Sequence, residues 1–126
     1  MSFAGYSNSG KTTLIKEVVK QLSKKNIRVG VIKHHHQLLE LPPDKDTTFF
    51  KEWSKKVALV GKNGYQLTVL DEEEPIIEVA LAEFKDMDLI IIEGYKKQGF
   101  SKIEVIGFGD SRLDISENDL VALVSA

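Results

Sequence analysis

The sequence predicts an α/β fold in which a mostly parallel sheet is flanked by helices in three layers, and three observations carry the prediction. The stretch Gly5 to Thr13, "GYSNSGKTT", sets a glycine-rich loop between a short apolar strand and an amphipathic helix. A β-rich run, "IRVGVIK" at Ile27 to Lys33, follows that helix within the span of about thirty residues expected of a βαβ unit. Further on, "MDLIIIEGY" puts consecutive apolar residues ahead of an acid, the pattern of a strand covered on both faces. A chain of 126 residues is the size of one compact domain. Residues 1–126 read as a single domain, with no linker, internal repeat or low-complexity segment.

The first strand is short, Met1 to Ala4 at most, and is either a stub or the end of a strand that starts upstream. From Lys11 the apolar positions Leu14, Ile15, Val18, Val19 and Leu22 recur at helical spacing, with Lys16, Glu17, Lys20 and Gln21 between them. That helix ends near Lys25-Asn26, and Ile27 to Lys33 is the second strand. "HHHQLLELPPDKD" contains Pro42-Pro43 and no sustained period, so it reads as a long loop. Thr47 to Lys56 follows as a second helix with Phe49, Phe50 and Trp53 inward. Lys56 to Val60 and Tyr65 to Leu70 are strands around the turn "GKNG". The acids Asp71 to Glu74 before Pro75 suit the solvated N-terminus of a third helix, Ile76 to Phe84. After "MDLIIIEGY", the strands Lys102 to Phe108 and Leu120 to Ser125 complete the set.

Composition excludes several classes of function. With 17 basic against 19 acidic residues, a net charge of −2 and the basic residues spread out, the chain has no electrostatic footprint for nucleic acid. The absence of cysteine rules out disulfides, thiolate zinc sites, iron–sulfur clusters and a cysteine nucleophile. The most apolar stretch, Leu89 to Ile92, is too short to span a bilayer, and the N-terminus carries no signal pattern. A soluble, cytoplasmic protein with no membrane partner is expected.

The glycine loop fits G-x-x-x-x-G-K-[ST] at Gly5, Gly10, Lys11 and Thr12, which makes the fold one of the P-loop NTPase type. Glycines let such a loop curl until backbone N–H groups point into one concavity, where they and the helix N-terminus bind phosphate oxygens. Lys11 then reaches the β- and γ-phosphates, and the Thr12 hydroxyl coordinates Mg²⁺. Glu93 ends "LIIIE" at the carboxyl edge of the sheet, where ligands of open α/β sheets sit. It can hold Mg²⁺ through water, polarise an attacking water, or simply cap the next turn.

Three further stretches carry polar chemistry. In "KHHHQ", Lys33 to Gln37, adjacent histidines on an extended chain point in opposite directions and cannot share one ion. Binding of an anion or substrate by Lys33, His34 and His36 is therefore preferred to a transition-metal site, whose oxygen ligands would have to be Glu40, Asp44 or Asp46. "DKDTT", Asp44 to Thr48, supplies a helix N-cap in Asp46 or Thr47, and equally a mobile segment that brings Asp46 to Mg²⁺ or water. Lys96, Lys97 and Lys102 in "EGYKKQGFSKIEV" either bind a second anionic group or form a solvated basic turn.

Taken in order, "GYSNSGKTTL", "VIKHHH", "KDT" before a helix, "DLIIIEGYK" and "KIEV" resemble the MobB family of molybdopterin-guanine dinucleotide biosynthesis adaptors. The similarity runs from Phe3 to about Val105, and "LVALVSA" is similar to a late strand of that family. The resemblance implies a GTP-binding member of the wider P-loop GTPase group, assisting the guanylyltransferase partner that attaches GMP to molybdopterin. It implies that Gly5, Tyr6, Ser7, Asn8, Ser9, Gly10, Lys11, Thr12 and Thr13 hold the GTP phosphates, and that Thr12 and Glu93 serve Mg²⁺. Asp46 would belong to a switch-like segment near the metal, making Lys11, Glu93 and Asp46 the candidate catalytic residues. Lys33, His34, His36 and Lys96 would line the site near the phosphates or the pterin. Weak GTPase activity and a homodimer are also implied.

The chain departs from the family pattern at Asp44, where glycine is usual, and at "WSK", Trp53 to Lys55, where Ala-Gly-Ala is usual. No Asn-Lys-x-Asp element for guanine is present, and "GKNG" is a turn, so preference for GTP rests on the resemblance. Slow turnover agrees with the positions of Arg28 and Arg112, neither of which suits an arginine finger in cis. Two alternatives stand beside this reading. One is a GTPase metallochaperone carrying Ni²⁺ or Zn²⁺ on His34 to His36, and the other is a small-molecule kinase, which would need an arginine-rich lid.

Overall fold

Five parallel strands in the order β2-β5-β1-β6-β7 form the sheet that carries the glycine loop. They are β1 (Ser2–Ala4), β2 (Val29–Lys33), β5 (Leu89–Glu93), β6 (Lys102–Ile106) and β7 (Leu120–Ser125). The helices whose bounds fall among the described residues are α1 (Lys11–Lys24) and α2 (Ile77–Leu81), the latter running into a 3₁₀ turn at Ala82–Phe84. β3 (Lys56–Gly61) and β4 (Gly64–Val69) form a separate antiparallel pair. The computed structural model describes residues 1–39, 50 and 54–125. Two units divide them: Met1–His35 with Ala80–Ala126, and His36–Val79. The α/β fold with a mostly parallel sheet flanked by helices is thus the one expected.

β1 is the shortest strand and the central one, with Ser2, Phe3 and Ala4 all buried. Neighbours on both sides complete its hydrogen bonds: Phe3 stands opposite Glu93 of β5 and Ile103 of β6. Burial of Phe3, Ala4, Ile91 and Ile92 matches the apolar run of "LIIIE" up to its terminal acid, and the buried Ser2 hydroxyl donates to Gly94 O at 3.1 Å. Ile15 of α1 packs with Phe3, Ile91 and Val105 in the core, and Leu14, Val18 and Val19 are half-buried against the cluster. Each such aliphatic side chain, fully buried, contributes about 1.5–3 kcal/mol. The helical spacing in the sequence is therefore the stripe that fastens α1 to the sheet.

Among the boundaries that differ from the sequence reading, two do so for a clear local reason. The second strand begins at Val29 rather than Ile27, because Asn26 takes a left-handed turn (φ 58°) that closes α1. The Asn26 N–H donates to Ser23 O and the Ile27 N–H to Leu22 O, satisfying carbonyls that the helix end would leave unpaired. The third expected helix, Ile76 to Phe84, is α-helical only over Ile77–Leu81 before it tightens. The tightening brings the Phe84 ring onto Gly30, where an added Cβ would sit 2.2 Å from the ring.

In the second unit β3 and β4 pair from Lys56↔Val69 to Gly61↔Gly64 around Lys62-Asn63, which agrees with the turn read at "GKNG". The helix expected over Thr47 to Lys56 falls mostly outside the described residues. Phe50 is helical, its carbonyl accepts from the Ser54 N–H at 2.7 Å, and Lys56 already opens β3. Glu40, Asp44, Asp46 and Trp53 also lie outside the described residues.

Candidate functional site at the carboxyl ends of the strands

Register brings the site together. Glu93 at the end of β5 stands opposite Phe3 of β1 on one side and Lys33 of β2 on the other. The loop that leaves β1 therefore starts beside the acid that ends β5. The Thr12 hydroxyl, in the first turn of α1, donates to Glu93 Oε1 at 3.0 Å, and Lys33 Nζ lies 4.0 Å from Glu93 Oε2. These contacts join residues far apart in sequence at one point of the fold.

The loop has the curvature that phosphate binding requires. Asn8 (φ 62°) and Gly10 (φ 93°) are both left-handed, and alternation of that conformation turns successive N–H groups to one side. Gly10 is the residue before α1, and no side chain hydrogen-bonds the first turn there. The helix N–H groups thus have no built-in acceptor of that kind. Ser9 is buried beneath the loop, while Tyr6, Ser7, Asn8, Thr12 and Thr13 are exposed on it. Lys11 Nζ donates to the carbonyls of Gly5 and Tyr6, the former at 2.9 Å, and lies 3.4 Å from Ser9 Oγ.

Positive charge converges here. Burial pushes the Lys11 ammonium below its ordinary value, Lys96 and Lys33 push it the same way, and Glu93 and Asp110 oppose them. Lys96 also places Nζ 5.3 Å from the centre of the Tyr6 ring, over the loop. An ammonium that burial, Lys96 and Lys33 all disfavour marks a place where an anion is stabilised. His34 stacks on Tyr95, with ring centres 4.3 Å apart, and its backbone N–H donates to Glu93 O at 2.9 Å. Tyr95 holds a left-handed backbone (φ 51°), uncommon for a bulky residue, directly after Glu93-Gly94.

Of the sequence-derived candidates, then, Gly5 to Thr13, Lys33, His34, Glu93 and Lys96 belong to one end of one sheet. His36 is exposed and belongs to the other unit, and Asp46 lies outside the described residues. No group of three His, Cys, Asp or Glu side chains able to hold a metal occurs among the described residues.

Lys102 corrects an expectation. It is neither an anion ligand nor part of a solvated turn, because its side chain is buried. Its ammonium donates to the carbonyls of Gln98 and Phe100 and lies 3.6 Å from Asp119 Oδ2. The strand that it opens also ends earlier than expected, at Ile106 instead of Phe108. Asp110 Oδ2 accepts from the Gly107 N–H at 2.9 Å and turns the chain there. The turn fits because Gly107 lies flush on the glycine loop: a Cβ on it would come 2.9 Å from Ser9 Cα.

Sequence reasoning missed this Gly107 to Leu113 segment. Buried Glu104 anchors its far end by accepting from Arg112 Nε at 3.1 Å and from the Leu113 N–H at 2.6 Å. An acid inside the apolar run "KIEVI" was the signal available.

Comparison with known proteins agrees with this geometry. Residues 1–126 match the family described as Molybdopterin guanine dinucleotide synthesis protein B, MobB. The chain is 31% identical over 107 residues to the molybdopterin-guanine dinucleotide biosynthesis adapter protein of Haemophilus influenzae, covering 82% of this chain and 60% of that protein. It is 33% identical over 109 residues to the Escherichia coli adapter, covering 82% and 62%. Thus it spans about three-fifths of the length of those relatives. Among solved structures, a MobB homologue from Bacillus stearothermophilus superimposes with a TM-score of 0.70 at 23% identity, covering 98% of this chain and 75% of that one. Bacillus subtilis MobB gives 0.67 at 26% identity, covering 98% and 74%. The chain belongs to the MobB family of molybdopterin guanine dinucleotide synthesis proteins.

Proposed function

We propose that this protein binds GTP with Mg²⁺, hydrolyses it slowly, and acts as a cytoplasmic accessory to the guanylyltransferase that attaches GMP to molybdopterin. The observation that carries the nucleotide reading is the 3.0 Å contact between Thr12 Oγ1 and Glu93 Oε1 at the mouth of the glycine loop. A hydroxyl and a carboxylate side by side at the phosphate loop are the hard oxygen donors that Mg²⁺ takes, so Thr12 would hold the ion and Glu93 would hold it directly or through water. When bound, Mg²⁺ would neutralise charge on the β- and γ-phosphates.

The chain's own residues supply the rest. The curled Gly5 to Thr13 backbone orients phosphate oxygens, and the Lys11 ammonium exchanges its loop carbonyls for them. Lys33 and Lys96 add positive charge at the same end, and Glu93 can orient a water. Asp46 is assigned to the switch-like segment on the family resemblance. The two arginines agree with slow turnover, since Arg28 is held by Asp88 and Arg112 by Glu104. Neither is available to stabilise a transition state in cis. The hairpin β3–β4 exposes Val60, Tyr65 and Val69, an apolar surface that supports the homodimer.

Titration of the purified protein with GTP and ATP in Mg²⁺, followed by phosphate release, tests the reading. GTP binds more tightly than ATP, hydrolysis exceeds background, and Lys11→Ala weakens GTP binding at least about tenfold. If Lys11→Ala binds and hydrolyses GTP as the parent does, the loop has been misassigned.

A further inference from the structure

We infer that the turn after β6, Gly107-Phe108-Gly109-Asp110, is the nucleoside subsite, with the Phe108 ring stacking on a purine and the Asp110 carboxylate selecting guanine. The inference rests on the nucleotide reading above and supplies what that reading lacks, a group that reads the base.

Glu93 and Lys33, which mark the metal and terminal-phosphate end, lie on β5 and β2, to one side of β1 in the strand order. A nucleotide whose triphosphate end is fixed there extends its nucleoside past the opposite side of β1, where β6 is the neighbour. β6 and the segment that leaves it lie against the glycine loop at several points. A Cβ on Gly5 would lie 2.3 Å from Val105 O within β6, one on Gly107 would come 2.9 Å from Ser9 Cα, and Tyr6 Oη lies 3.4 Å from Ser111 Oγ.

On that segment stands a side chain with no structural role in the fold: Phe108 is 100% exposed. An aromatic ring wholly in water beside a phosphate loop matches a flat apolar ligand, and bases supply that face regardless of sequence. Asp110 supplies the polar part. The Gly107 N–H fixes Oδ2, and among the described residues nothing donates to Oδ1. A carboxylate accepts only. Guanine offers donors at N1 and at the exocyclic N2, whereas the corresponding edge of adenine offers the N1 lone pair, so the same group attracts one base and repels the other. Anchoring of Arg112 and Leu113 on Glu104 holds the turn in place.

The test is calorimetric titration of the full chain with Mg²⁺ complexes of GTP, ATP and xanthosine triphosphate, whose ring has a carbonyl where guanine has N2. Asp110→Asn keeps an acceptor for the Gly107 N–H and presents a donor to that carbonyl. It should weaken GTP at least about tenfold while strengthening xanthosine triphosphate. Phe108→Ala, which removes no core contact, should weaken GTP and xanthosine triphosphate alike by about 5- to 100-fold. Parent-like GTP affinity in both variants, with Lys11→Ala still defective, would overturn the subsite and leave the phosphate loop standing. Equal weakening of all three nucleotides by Asp110→Asn would overturn base selection. Failure of the parent to bind any Mg²⁺–nucleotide would instead remove the nucleotide reading and this subsite with it.

Discussion

The Thr12 hydroxyl donates to the Glu93 carboxylate at 3.0 Å across 81 positions of sequence, joining the first turn of α1 to the end of β5. The contact exists because β1 and β5 are neighbours in register, so the loop after one opens beside the terminal acid of the other. The glycine loop and the acid that ends β5 are therefore one structural unit, and its geometry depends on how closely the loop lies on the strands.

That closeness predicts the effect of Gly5→Ala. The new Cβ would lie 2.3 Å from the carbonyl oxygen of Val105 and 2.8 Å from Ser9 Oγ, and the first of these is backbone that cannot swing away. Destabilisation of about 2 kcal/mol or more is expected, with weaker nucleotide binding. Gly99→Ala meets nothing within 4 Å and serves as the comparison. Denaturant midpoints of the two variants check this; equal midpoints would mean that the loop is not clamped on β6.

The anchor beneath the β6 turn should respond asymmetrically. Removing the partly exposed Arg112 leaves the Glu104 carboxylate buried with the Leu113 N–H as its remaining donor. Glu104→Gln, by contrast, keeps an acceptor for that N–H. Arg112→Ala is expected to cost about 2–3 kcal/mol and Glu104→Gln about 1 kcal/mol, with the double variant well short of their sum. Strict additivity in urea unfolding would show that the two side chains do not act together.

Acid stability should carry a signature of the Arg28–Asp88 pair. The Arg28 side chain donates to both carboxylate oxygens of Asp88, at 3.1 and 2.9 Å, and its backbone N–H adds a third bond at 2.8 Å. The side-chain bonds are the main cause that lowers the Asp88 pKa from 3.8 to about 2. Because the folded-state value is the lower one, this stabilisation is complete above pH 3.8 and is lost as pH falls toward about 2. Asp88→Asn should flatten the pH dependence of the unfolding midpoint in that window. An unchanged slope would contradict the assignment.

Much of this was legible in the sequence, for reasons that differ by element. The loop and α1 were readable because their signals are local: fixed glycine spacing and a helical stripe. "LIIIE" was readable because burial on both faces leaves no polar position until the acid at its end. The early stop of β6 was not, since it depends on Gly107 meeting Ser9 across a strand boundary that no local pattern marks. Lys102 misled in the same way, and Glu104 drew no reading. A lysine beside other lysines looks solvated, and only the fold shows that Lys102 is buried against Asp119 and that buried Glu104 holds Arg112. His36 illustrates another limit, because three adjacent histidines say nothing about which unit each joins.

On the proposed function, Thr12 and Glu93 form one Mg²⁺-dependent unit with the phosphate loop. GTP affinity measured with and without Mg²⁺ in the parent, Thr12→Ala, Glu93→Gln and the double variant tests it most directly. Mg²⁺ should strengthen GTP binding about tenfold or more in the parent, either substitution should remove most of that gain, and the double variant should lose little further. An undiminished Mg²⁺ effect in both single variants would contradict the account.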